Sequence, residues 1–206
     1  MQTLLAVTVS PRGSKSWSRR GLDLFVEQYR AKFPDARVIY RDTYEIPHLT
    51  FEGVRAGRKA PDVHTAEEQE AMKLQDELVD ELVHATHVVI ASPMYNWSAP
   101  SALKAWVDHI VNLRTNFATP SVLEATDVSV IISSGGAYAE GDNAHLDSFR
   151  PWIKNLFVRF GHSDVHFINI EPTGPMDHGA VDENDPESAW SKAKAQIAER
   201  IALLHR

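Results

Sequence analysis

Cysteine is absent from the 206 residues. That excludes disulfides, thiolate metal sites and cysteine-nucleophile catalysis, and a cytoplasmic location is the expectation for such a chain. Long apolar runs are also missing, and none reaches the about 20 residues that a membrane-spanning helix needs, so no membrane partner is expected. The opening residues, Met1 to Val9, carry no basic leader and read as a strand, not a targeting segment. Basic charge is the scarcer sign: 21 Lys and Arg stand against 28 Asp and Glu, a formal net charge of −7. An acidic surface repels phosphate backbones, so no nucleic-acid partner is expected. Gly-x-x-x-x-Gly-Lys-[Ser/Thr] does not occur, nor does Gly-x-Gly-x-x-Gly after the first strand, which argues against a nucleoside triphosphate and against a dinucleotide cradled by glycines. Ten histidines are present without a His-Glu-x-x-His pair, so no metal site is expected.

What is present is a strict alternation of short β-branched runs and longer helical patterns. Strands are predicted over 4–9, 37–41, 88–91, 128–133 and 165–170. Helical stripes lie between them: Leu22, Phe25, Tyr29 and Phe33; then Ala71, Leu74, Leu78 and Leu82; then Leu103, Trp106 and Ile110. A fourth helix is expected from about His145 to Phe160, and Trp190, Ala193, Ile197, Ile201 and Leu204 stripe a closing one. Thr65-Ala66-Glu67-Glu68 has the form of a capping box, while Glu67, Glu68, Glu77 and Glu81 read as a solvated helix face. With 43% hydrophobic residues, residues 1–206 suit one well-cored domain. Five βα units imply an α/β fold: three layers, a five-stranded parallel sheet in the order 2-1-3-4-5, and helices on both faces. Such sheets bind ligands beyond the carboxyl ends of strands 1 and 3, where the order reverses. The connections 42–64, 114–127 and 171–186 are longer than the topology requires, which suits site walls or subunit contacts.

Three segments follow neighbouring strands in that order. Residues 10–20, SPRGSKSWSRR, place Ser10, Ser16, Trp17 and Ser18 around a helix start, where unpaired amides and partial positive charge suit a phosphate. A solvated turn with a serine cap is the plainer reading. Residues 93–97, PMYNW, end a buried strand with Met94, Tyr95, Asn96 and Trp97, bulky groups where solvent should begin. They form either a shelf for a flat ligand or a plug for the core or a dimer. Ser133, Ser134, Gly135 and Gly136 follow the fourth strand, and paired glycines let backbone approach a flat ligand closely. Together the three suit a ligand with a terminal phosphate and a planar, hydrogen-bonding heterocycle.

These motifs resemble those of the FMN-dependent NADH-azoreductases, a branch of the flavodoxin-like NAD(P)H-quinone oxidoreductases. Ser10 with Ser16-Trp17-Ser18, then Ala91 to Trp97, then Ser133 to Gly136 carry the likeness, and "LKAWVDHIVNLRTNF" extends it. The resemblance implies that the first motif holds the FMN phosphate, the second faces the isoalloxazine ring and the third meets its pyrimidine edge. Ser134, Tyr138 and Trp97 stand where the family often has Arg, His and Phe, which bears on substrate preference. The implied activity is a two-electron reductase, with NADH or NADPH as donor and a quinone or azo compound as acceptor, working as a homodimer. No side chain is assigned as catalyst, because the cofactor carries the chemistry; Tyr138 is the candidate proton donor. Trp106 and the 42–64 segment, with Phe51, Arg55, Arg58 and Lys59, are the candidates for interface or gate. The alternative function is a flavodoxin-type one-electron carrier.

Overall fold

The computed structural model describes residues 2–116 and 123–205. Strands β1 (Thr3–Thr8), β2 (Arg37–Asp42), β3 (His87–Pro93), β4 (Asp127–Ser133) and β5 (Val165–Ile170) form one parallel sheet in the order β2-β1-β3-β4-β5, as expected. The helices are α1 (Trp17–Lys32), α2 (Phe51–Ala56), α3 (Ala66–Val83), α4 (Ser101–Ile110), α5 (Leu113–Asn116), α6 (Phe149–Arg159), α7 (Gly174–Asp177) and α8 (Ala189–Leu203). None of them is long and apolar enough to cross a membrane.

The two-residue period of the strands divides the core in two. Leu5, Val7, Val88, Ile90, Val130 and Ile132 face α3, α4 and α6, packing on Leu78, Leu82, Trp106, Ile110, Phe149 and Phe157. Leu4, Ala6, Val89, Ala91, Ile131 and Ile168 face α1 and α8, packing on Phe25, Val26, Tyr29, Trp190, Ala193 and Ile197. Each buried Val, Leu, Ile or Phe among them contributes about 1.5–3 kcal/mol relative to exposure. Gly21 sets how closely α1 lies on the sheet: a Cβ there would stand 3.1 Å from both Ile131 and Ile170. That approach holds the start of α1 over the end of β1.

Local chemistry bears out the capping box. Thr65 Oγ1 accepts from the Glu68 amide at 3.3 Å, and Glu68 Oε2 accepts from the Thr65 amide at 3.0 Å. Other expectations need correction. Glu68 is buried, not solvated, and its carboxylate takes Lys59 Nζ at 2.6 Å with Arg55 Nε at 3.4 Å. Glu81 is largely covered and pairs with Arg41, which also bonds Glu77. The helix expected from His145 starts at Phe149, because Asp147 Oδ1 accepts from the amides of Phe149 and Arg150 at 2.8 and 3.1 Å. Trp106 is fully enclosed in the core of its own chain, so it is neither an interface nor a gate residue. The 42–64 connection contains α2, and the 171–186 connection contains α7. Part of the 114–127 connection, residues 117–122, lies outside the described residues.

Candidate functional site: the carboxyl rim of the sheet

Strand register brings the three motifs to one edge. Thr8 pairs with Ala91, and Pro93 pairs with Ser133. Backbone bonds carry the pairing past the strands: Val9 N–H donates to Ala91 O at 3.0 Å, Met94 N–H to Ser133 O at 2.8 Å, and Ser134 N–H to Ile170 O at 3.3 Å. The segments after β1, β3 and β4 therefore leave the sheet side by side.

The first segment is a helix start. Ser16 caps α1, its Oγ accepting from the Arg19 amide at 3.3 Å and lying 3.1 Å from Ser18 Oγ. The amides of Trp17 and Ser18, in the first turn, have no partner among the described residues. Ser10, Ser16 and Ser18 are all buried at this point. Of the nearby cations, Arg19 bonds Asp42 at 2.9 Å and Arg20 grips Glu183 with two bonds of 3.0 and 2.8 Å. Those bonds hold the Glu183 carboxyl below its ordinary pKa. Arg12 and Lys15 are exposed and make no side-chain bond among the described residues.

The second segment is a tight hairpin. Tyr95 and Ser98 exchange both backbone bonds, at 3.1 and 3.0 Å, around Asn96 (φ 49°) and Trp97 (φ 60°). Two consecutive left-handed residues are the signature of a type I′ turn, which favours Asn and Gly and strains a Trp. Met94 is buried beneath, while Tyr95, Asn96 and Trp97 are exposed, 49% in the case of Trp97. The hairpin is tethered to α6 through Ser148 N–H and Trp97 O at 2.9 Å. It is thus a held, outward-facing aromatic turn rather than a core plug.

The third segment is an open glycine turn. A Cβ built on Gly135 meets nothing within 4 Å. Gly136 is covered by Tyr138, whose ring and hydroxyl lie 3.0–3.1 Å from where its Cβ would be. The amides of Gly135 and Gly136 have no partner among the described residues.

Residues 2–200 match a family described as having a flavodoxin-like fold. A relative from Jannaschia sp. (strain CCS1), named FMN-dependent NADH:quinone oxidoreductase 2, is 39% identical over 173 residues, covering 82% of this chain and 85% of that protein. One from Frankia alni (strain DSM 45986 / CECT 9034 / ACN14a), named FMN-dependent NADH:quinone oxidoreductase, is 34% identical over 192 residues, covering 90% and 91%. The chain belongs to the FMN-dependent NADH:quinone oxidoreductase family. Among solved structures, an FMN-dependent NADH-azoreductase from Bacillus anthracis str. Ames Ancestor in complex with FMN superposes with a TM-score of 0.79 at 20% identity, over 98% of each chain, a likeness of fold.

Several supports of this family's rim in the present chain were not legible in sequence. The Trp17 indole is buried and engaged within the protein: its N–H donates to Asp177 Oδ1 at 2.8 Å and its ring packs 5.9 Å from Trp190. What Trp17 offers a ligand is its amide. The Arg20 guanidinium lies over both rings, 4.3 and 4.7 Å from their centroids. Tyr44, just after β2, stands near Tyr95; burial raises its phenol pKa, and Tyr95 and Asp42 add to the shift. A separate cleft of about 830 Å³ opens beside α2, lined by His48, Gly57, Arg58, Gln75 and Asn112 among others, and shares no residue with the three motifs.

Proposed function

We propose that residues 1–206 form one domain that works as a homodimer, binds FMN at the rim, and reduces quinones and azo compounds with NADH or NADPH. When bound, FMN would supply the redox chemistry, a two-electron ping-pong hydride transfer through N5 between nicotinamide and acceptor, while the rim residues would hold and orient it. In sum, NAD(P)H, a proton and a quinone give NAD(P)⁺ and a hydroquinone; an azo bond takes two such rounds to yield two amines.

The observation that carries the reading is a set of backbone amides with no partner among the described residues, those of Trp17, Ser18, Gly135 and Gly136, spread along one rim on both sides of an aromatic turn. Ser16 and Ser18 hydroxyls with the Trp17 and Ser18 amides match a phosphate. Thr8 Oγ1, Thr43 Oγ1 and Arg19 Nε, buried polar atoms at the end of β1, just after β2 and on α1, also lack partners among the described residues. Tyr95 and Trp97, with Asn96 between them, suit the face of a ring. Gly135 and Gly136 amides match carbonyl acceptors at its polar edge, and the missing side chain at Gly135 leaves room for it. Fixed amide dipoles there favour negative charge on whatever they hold. Tyr138, at the same turn, is the phenol we assign to return a proton to the acceptor.

Exposed Phe51, Val54, Val111 and Leu113 around the cleft beside α2 support a partner face there. The cysteine-free chain supports a cytoplasmic location.

Anaerobic stopped-flow spectroscopy of the FMN-loaded protein tests the reading. NADH or NADPH should bleach the flavin band, and menadione should restore it. Binding of FMN without reduction by either nucleotide would point instead to the one-electron carrier, and no FMN binding would end the proposal.

A further inference from the structure

Behind the glycine turn sits a buried carboxylate. Glu171, the first residue past β5, has its side chain 5% exposed. One oxygen, Oε1, accepts from the amides of Tyr138 and Ala139 at 3.1 and 2.5 Å. The other, Oε2, lies 2.7 Å from Ser134 Oγ and 3.0 Å from Arg150 Nη2. Both ends of the turn thus close on one side chain, and the residues between must arch away from it.

Three of the turn's carbonyls are spoken for as well. Gly135 O accepts from the Gly174 amide at 3.0 Å, Ser134 O accepts from the Thr173 amide at 2.9 Å, and Gly136 O lies 2.8 Å from Ser134 Oγ. Gly174 is itself required, since a Cβ there would stand 2.9 Å from Gly135 O. With these three carbonyls held inward, the amides of Gly135, Gly136 and Ala137 are the turn's backbone donors without a partner among the described residues. Arg150 is fixed in turn by Asp147 at 2.7 Å and by two bonds to Asn169 at 3.2 and 2.7 Å. The cluster of Asp147, Arg150 and Glu171 carries two carboxylates against one guanidinium, so it keeps a net negative charge just behind the turn.

We infer that Glu171 is a positioning residue for the cofactor: it holds the 134–139 turn closed so that the Gly135 and Gly136 amides face the polar edge of the bound flavin, and its charge opposes accumulation of negative charge there. This rests on the proposed FMN reading of the rim. Two consequences follow. Glu171→Gln keeps the shape but sets an amide donor against Arg150 or Ser134, which loosens the turn and weakens the two amide contacts. The same change also removes one negative charge, which makes the flavin easier to reduce.

The experiment compares FMN dissociation constants by fluorescence quenching, and flavin midpoint potentials, for the unaltered protein, Glu171→Gln and an exposed control, Glu187→Gln, with far-UV circular dichroism reporting folding. The inference expects roughly tenfold weaker FMN binding and a more positive potential in Glu171→Gln, and no change in the control. If Glu171→Gln does not fold, Ser134→Ala removes one arm of the clamp and should weaken binding by roughly threefold or more, since the hydroxyl's charge-assisted bond to the carboxylate is lost. FMN affinity and potential unchanged in the variant that folds would overturn the inference while leaving the FMN reading intact. Failure of the unaltered protein to bind FMN would overturn both.

Discussion

Trp17 and Asp177 are joined by a 2.8 Å bond from indole N–H to carboxylate across 160 residues of sequence. Together with the Arg20–Glu183 pair, this bond latches the 171–188 segment onto the first turn of α1. The same segment is stitched to the glycine turn through Gly174 and Gly135. One connection thereby links the two ends of the proposed flavin site.

Breaking that latch should loosen the phosphate end first. Asp177→Ala leaves the buried indole N–H without its acceptor, a cost of about 1–2 kcal/mol. Urea unfolding should show that loss, and FMN titration should show weaker binding than for the exposed control Glu187→Gln.

Gly135→Ala separates folding from binding. The added methyl meets nothing within 4 Å, so the unfolding midpoint should barely move. The methyl would, however, stand where the ligand's polar edge belongs, and FMN affinity should fall by roughly tenfold or more, the worth of about 1.4 kcal/mol. A variant that binds FMN normally would show that the turn does not touch the cofactor.

The hairpin at Asn96 and Trp97 stores backbone strain. Trp97→Gly, at φ 60°, should raise stability by up to about 1 kcal/mol, since glycine adopts this region freely and the indole is half exposed. The same change removes the ring wall, so quenching of FMN fluorescence should weaken. Gained stability with lost cofactor contact is the expected pair of results.

At the amino end of the central strand β3, opposite the rim, His87 gives a pH dependence. Burial, the largest influence, pushes its pKa below the ordinary 6.5, against the opposing pull of Asp127; Arg200 and Lys32 also lower it. Its Nδ1 lies 2.7 Å from Tyr29 Oη and 3.0 Å from Thr86 Oγ1. Because the folded pKa is the lower one, the unfolded chain binds a proton first as pH falls below about 6.5, and stability declines from there until the folded group titrates. Urea midpoints should therefore drop on the acid side of neutrality, and His87→Gln should flatten that slope. His166, likewise lowered chiefly by burial, adds a contribution of the same sign.

The strands and their order were legible because two opposed apolar faces leave a period of two in the sequence, and because parallel neighbours need crossover helices. Convergence of Ser16, Asn96 and Gly135 on one rim followed from strand order alone. Long-range pairings were not legible. Glu68 has the spacing of a solvated helix face, and only the fold of the preceding segment brings Lys59 onto it. Trp17 reads as part of a phosphate-holding helix start, with no signal that Asp177 claims its indole N–H, and Trp106 reads both as one of a helical stripe and as a candidate contact residue until the fold encloses it in the core. Glu171 carries no local signal, since its four partners lie 21–37 residues away.

Co-crystallisation with FMN is the most direct measurement of the central claim. The account predicts the phosphate at Ser16 and Ser18, the ring against Tyr95 and Trp97, and its pyrimidine carbonyls on the Gly135 and Gly136 amides. Flavin found in the cleft between His48 and Asn112, with the three turns bare, would contradict it.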